Sequence, residues 1–241
     1  MRLLSVAASM LLMLCSLTGQ DSIFQSKKSF FTKAILPATL ITTGLIVNKK
    51  ETKTGFRQWL LDNGVTSTTN IDDYLQHAPI AMLYMNGLAS KTDRRELGRQ
   101  SRHLLISQVF TLSTVYFLKT VTKETRPNGG SRAFPSGHTA YAFASADVFY
   151  HALKDNQPIL AYAGYIPALA TGVYRLTRDK HWISDVLVGA GIGMLFSRLT
   201  YHLNIWNTKK AKTSVTALKD RFSIRMSQHG VGLTVQLATN E

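Results

Sequence analysis

Cysteine is almost absent from this sequence: Cys15 is the only one among 241 residues. It lies in an apolar run, Leu3 to Leu17, that follows Met1-Arg2 and ends in Thr18-Gly19-Gln20-Asp21. That pattern reads as a secretory signal or an uncleaved anchor over residues 1–20. Leu12-Met13-Leu14 lacks the small residue that a lipoprotein signal needs just before its cysteine. A chain cut after the run would hold no cysteine, which excludes disulfide and thiol chemistry. Acidic residues are scarce as well, 14 Asp and Glu against 28 Lys and Arg, for a formal net charge of +14. Such an excess calls for an anionic partner: nucleic acid, acidic headgroups or a phosphorylated substrate. No nucleic-acid-binding motif is recognisable, and an exported chain has little use for one, so nucleic acid is set aside. Internal repeats and low-complexity segments are lacking too.

What is present is apolar: 45% of the residues are hydrophobic and 10% aromatic, the composition of a folded chain. Uncharged stretches run from 34 to 48, 75 to 90, 104 to 118, 133 to 153 (broken only by Asp147), 159 to 174 and 186 to 197. Dense Leu, Ala, Met and Phe without alternation reads as helix. Their lengths lie at or below the ~20 residues of a comfortable membrane span. The expected fold class is all-α, a helical bundle embedded in a membrane, with a soluble periplasmic bundle as the alternative. Residues 21–212 form the helical domain. The tail 213–241 alternates at Phe222–Met226 and Leu233–Leu237, the pattern of a terminal β-hairpin. Arg94, Arg95, Arg99, Arg102, Lys154, Lys209, Lys210 and Lys212 fall at one end of an up-and-down bundle, as on a cytoplasmic face. The other end would then face the periplasm. The segment 49–73 fits this topology poorly. Asp147, a lone acid in an apolar helix, implies either a basic partner or a functional role.

Three motifs fall at that other end. Lys119 and Arg126 lie seven apart, before Pro127, and two helical turns would put them on one side. Arginine grips two phosphate oxygens with its fork, and lysine adds a compact charge. Taken alone, basic residues at a helix end are more often solvated. Pro135-Ser136-Gly137-His138 can end an extended approach, cap a new helix and leave its first N–H groups facing an anion, with His138 beside it. His181 and Asp185 stand i, i+4 on one helix face, where the carboxylate can hold one ring nitrogen and leave the other as a nucleophile. Arg175 lies six residues upstream of His181. Together the motifs supply a nucleophile, its orienting acid, a second histidine and three cations. A zinc site from His138, His181 and Asp185 is disfavoured by those cations.

This spacing resembles the type 2 phosphatidic acid phosphatase superfamily, which includes lipid phosphate phosphatases, class A acid phosphatases and vanadium haloperoxidases. The resemblance runs over roughly residues 75–205, with one departure: Tyr174 stands where the pattern has a serine before Arg175. It implies a hydrolase in which His181 attacks phosphorus, Asp185 holds its ring, and His138 protonates the leaving oxygen and then activates water. Lys119, Arg126, Ser136, Gly137 and Arg175 would bind the phosphate, with no metal or other cofactor. A phosphorylated lipid fits a site opening to the outer face of a bacterial inner membrane. Lipid A, undecaprenyl pyrophosphate and phospholipid phosphates all stay open as substrates. A soluble periplasmic acid phosphatase is the alternative, with a haloperoxidase or a plain anion-binding module behind it.

Overall fold

The computed structural model describes residues 30–203, together with the backbone of residues 23–29, 222–227 and 230–235. The expected signal or anchor, residues 1–20, therefore lies outside the described residues. Ser29–Leu203 form one compact unit, and the tail falls in a second. In the second unit Phe222–Ser227 (β1) and Gly230–Val235 (β2) pair antiparallel, with Phe222 opposite Val235.

The helical unit is built from α1 (Ile23–Ile46, which starts before it), α2 (Lys50–Asp62), α3 (Asp72–Leu75), α4 (Ala78–Ala89), α5 (Arg94–Thr122), α6 (Gly137–Leu153), α7 (Pro158–Ala163), α8 (Tyr165–Thr177) and α9 (Ile183–Leu203). The stretch expected as helix from 133 begins only at Gly137, because Ser136 caps it: its hydroxyl accepts from the Thr139 N–H. The stretch 159–174 breaks at Gly164, where a Cβ would stand 2.7 Å from the Phe149 ring. The charged segment 50–62, not anticipated as helix, forms α2 and turns 95° away from the end of α1.

α6 is the central helix. Ala140, Ala142, Ala144, Ala146, Val148 and Phe149 are all fully buried, so α6 is enclosed on every side, as an evenly apolar helix must be. Its small residues let α9 approach closely. A Cβ on Gly189 would lie 2.5 Å from the Ser136 carbonyl oxygen, and one on Gly193 would fall on the Ala140 carbonyl. One cluster (Ala142, Phe143, Ala146, Ala168, Ala190, Met194) fills the space between α6, α8 and α9. A second (Leu83, Leu104, Val148, Phe149, Leu153, Ala161) closes the far end. Burial of each large side chain in these clusters contributes about 1.5–3 kcal/mol.

Asp147 has a basic partner, one of the two alternatives that its isolation left open. Its Oδ1 accepts from Arg198 Nε (3.0 Å) and from the Tyr165 hydroxyl (2.6 Å).

Three helices turn apolar side chains outward. On α5, Leu105, Val109, Leu112, Tyr116, Phe117 and Val121 are exposed, and on α7 and α8 so are Ile159, Tyr162, Ile166, Leu169 and Val173. α5 and α9 are long and apolar enough to cross a membrane. The bent pair of Phe30–Ile46 and α2 adds a third span if counted as one.

Candidate functional site

Two loops build the site. The first leaves α5 at Lys123, which takes a left-handed conformation (φ 50°) and stops the helix. Lys119 and Arg126 therefore do not share a helix face as their spacing suggested. Arg126 returns through a tight turn instead: its N–H donates to Gly130 O (2.7 Å), and Gly129 takes φ 86° to close the turn. Lys119 Nζ donates to the carbonyls of Arg132 (2.7 Å) and Ala133 (3.2 Å), which folds the loop back over the end of the helix.

The second loop joins α8 to α9 through Asp179, also left-handed at φ 53°. The two loops are tied together: the Asn128 N–H donates to Asp179 O (3.2 Å), and Trp182 Nε1 donates to Thr125 O (2.8 Å). α2 clamps both. Arg57 makes a two-pronged pair with Asp179 (2.8 and 2.9 Å), and Lys53 pairs with Glu124.

His181 and Asp185 meet at the mouth of α9. His181 Nδ1 lies 3.2 Å from Asp185 Oδ2, which also accepts the Trp182 N–H at 2.9 Å. With Nδ1 engaged, Nε2 is the nitrogen left for chemistry. His181 is 3% exposed and Asp185 fully buried. Burial first, and then the charges of Lys119, Arg175 and Arg126, hold the His181 pKa well below the ordinary histidine range. The ring is thereby kept neutral.

α6 brings the remaining parts. The Ser136 N–H donates to Asp185 O (2.9 Å), fixing the start of α6 against the start of α9. The Ser136 side chain is fully buried, and its hydroxyl is 2.9 Å from the Thr139 hydroxyl. As a cap this hydroxyl is an acceptor, and its single proton can be given to the Thr139 hydroxyl or to a phosphate oxygen. Gly137 lies beside Lys119, since a Cβ there would be 3.9 Å from Lys119 Cε. The first-turn N–H groups of α6 have no intrahelical carbonyl partner.

Arg175 is 5% exposed, and its Nη1 donates to Asp72 Oδ2 at 2.7 Å. Where Tyr174 replaces a serine, the orientation of Arg175 thus comes from Asp72, which also takes a hydrogen bond from Arg178. Burial, together with Arg175 and Arg178, sets the Asp72 carboxyl, and the two arginines hold it below the usual carboxylate range. The buried Nε atoms of Arg126 and Arg175 have no hydrogen-bond partner among the described residues, as expected of donors aimed at an anion. Asp72, Asp73 and Arg178 join the site without having been singled out as candidates. Asp72-Asp73 carries no motif; the only signal available was two adjacent acids in a strongly basic chain. Among the described residues no group of three or more His, Cys, Asp or Glu side chains is gathered to hold a metal ion.

Residues 100–209 match the PAP2 superfamily model. That match gives no support to the tail beyond it. A curated relative, the lipid A 1-phosphatase of Porphyromonas gingivalis, is 34% identical over 142 residues, which are 56% of this chain and 31% of that protein. The chain thus spans about a third of the length of the relative it matches. Among solved structures, Aquifex aeolicus LpxE is similar at TM-score 0.46 and 22% identity, covering 61% of this chain and 93% of that one. A transmembrane PAP2-type phosphatidylglycerolphosphate phosphatase from Bacillus subtilis is similar at TM-score 0.45 and 18% identity, covering 70% and 96%.

Proposed function

We propose that this chain, whose residues 100–209 match the PAP2 superfamily model, is a membrane phosphatase that removes phosphate from a lipid, with lipid A as the first candidate. The observation that carries the reading is the pairing of a buried, neutral His181 with Asp185 among Lys119, Arg126 and Arg175. In the proposed cycle His181 Nε2 attacks phosphorus while the bond to the leaving oxygen breaks. His138 gives that oxygen its proton. The product is a phosphohistidine. His138, now neutral, takes a proton from water as the water attacks phosphorus and releases His181. Lys119, Arg126, Arg175 and the α6 N–H groups around Gly137 stabilise the charge on the equatorial oxygens.

The exposed apolar faces of α5, α7 and α8 support a membrane setting, and the name of the P. gingivalis relative supports lipid A. The site would open toward the periplasm if the basic N-terminal end of α5 is cytoplasmic.

The test is phosphate release in detergent with a chelator present. The panel is lipid A, a polyprenyl pyrophosphate, phosphatidate, phosphatidylglycerophosphate and 4-nitrophenyl phosphate. Wild type should act on a lipid first, and His181→Ala should lose activity by on the order of 10⁵-fold. Near-normal turnover by His181→Ala would sink the mechanism. Preference for the soluble ester would move the protein to the acid phosphatases.

A further inference from the structure

The segment between α2 and α4 lies against the candidate site and carries two adjacent acids with different surroundings. Asp72 is fully buried, locked by Arg175 and Arg178. Asp73, with 48% of its side chain exposed, reaches the other way: its Oδ1 is 2.9 Å from His138 Nε2 and 3.7 Å from Arg175 Nη1. The segment is fixed at both ends. The Ser67 N–H donates to Thr177 O (2.9 Å) on α8, and His77 Nδ1 lies 3.3 Å from the Tyr141 hydroxyl on α6, one turn beyond His138. Asp72 is therefore an anchor that sets where Asp73 stands.

We propose that Asp73 is a positioning residue for His138, an inference that rests on the phosphatase reading above. A histidine that acts first as acid and then as base must present the same nitrogen to the reacting oxygen in both steps. An imidazole in the first turn of a helix can flip about its Cβ–Cγ bond, which exchanges Nδ1 with Cδ2 and Nε2 with Cε1 and turns a carbon toward the reacting oxygen. A carboxylate on Nε2 stops that exchange. Nε2–H stays hydrogen-bonded to Asp73 throughout, and Nδ1 alone gives its proton to the leaving oxygen and later takes one from water. Asp185 does the same for His181 with the nitrogens reversed, engaging Nδ1 and leaving Nε2 for phosphorus. The two histidines would then be set by two carboxylates from different parts of the chain, one on α9 and one on α3.

The proposal separates from a structural role through the leaving group. Lipid A loses its phosphate from an alkyl-type oxygen that needs a proton, whereas 4-nitrophenolate leaves without one. The full chain in detergent is assayed for kcat/KM on both esters, which reports the steps through departure of the leaving group. Asp73→Asn should lower kcat/KM on lipid A by about tenfold or more, part of the ~10²–10⁴-fold a general acid supplies. On 4-nitrophenyl phosphate the loss should stay within about threefold, and Asp73→Glu should recover part of the lipid A rate. In a His138→Ala background, Asp73→Asn should change the lipid A rate by less than about twofold, because its effect runs through the ring already removed. This comparison on lipid A alone decides the matter should the soluble ester prove too slow or the single variant fold poorly. Equal losses on both esters, with multiplicative loss in the double variant, would show Asp73 to be merely structural and overturn the proposal. A faster Asp73→Asn enzyme would overturn it too, showing a carboxylate that blocks the phosphate site. Absence of release by wild type would instead bring down the phosphatase reading, and this inference with it.

Discussion

At the scale of single residues, the site is governed by how few negative charges stand among many positive ones. In the proposed cycle His181 must be neutral to attack, and burial together with Lys119, Arg175 and Arg126 disfavours its protonated form. The sign of the pH dependence follows. A depressed pKa leaves the ring unprotonated at neutral pH, and activity is lost only as pH falls through that depressed value. The acid limb of kcat/KM should therefore lie below the ordinary histidine value of about 6.5. Lys119→Met removes one of the cations and should move that limb to higher pH, whatever it does to the rate. A limb that stays put would mean that the titrating group is not His181.

At the scale of elements, the chemistry depends on how α6 meets α9. The Gly189 and Gly193 positions face backbone carbonyls of Ser136 and Ala140, and a carbonyl cannot step aside as a rotamer can. Gly193→Ala should destabilise the fold by about 1–3 kcal/mol and part the start of α6 from Asp185. Thermal unfolding in detergent and phosphate release should both register the change; unaltered melting would mean that the helices do not pack this closely.

Much of this arrangement could be read from the sequence. His181 and Asp185 do meet, but not on one helix face as their spacing suggested: α9 begins at Ile183, so His181 stands on the loop before it and Asp185 in its first turn. The capping role of Ser136 follows from its place before Gly137-His138. Arg126 misled because the helix stops at Lys123, a residue with no glycine to announce a left-handed end. The clamp of α2 was hidden because its partners, Glu124 and Asp179, are more than 70 positions away along the chain. Asp73 was hidden for the same reason: local patterns report neighbours on one element, and its partner His138 lies 65 positions on.

At the scale of the whole molecule, large apolar side chains stand exposed on α5, α7 and α8 around the buried core. The exposed stripe on α5 from Leu105 to Val121 covers ~24 Å of helix axis at 1.5 Å per residue, most of the ~30 Å hydrocarbon core of a bilayer. Basic residues follow it at both ends, Arg94 to Arg102 before and Lys123 with Arg126 after. The expressed chain should stay with the membrane pellet through high salt and alkaline carbonate and come out only in detergent. Release by carbonate would make it a surface-bound protein and favour a water-soluble ester.

The contact of Gly189 and Gly193 with the backbone of α6 also bears on how such a protein can diverge. Where two helices touch through carbonyls and not through side chains, their spacing is not a variable that substitution can tune in small steps. Slippage would have to go by a whole turn, which would carry Asp185 away from the Ser136 N–H altogether. The exposed apolar residues of α5, α7 and α8 are under no such restriction, since no described residue buries them. A lineage could therefore rewrite its outer surface to suit a thicker membrane or a bulkier lipid, one residue at a time, while the distance between its two histidines stayed fixed.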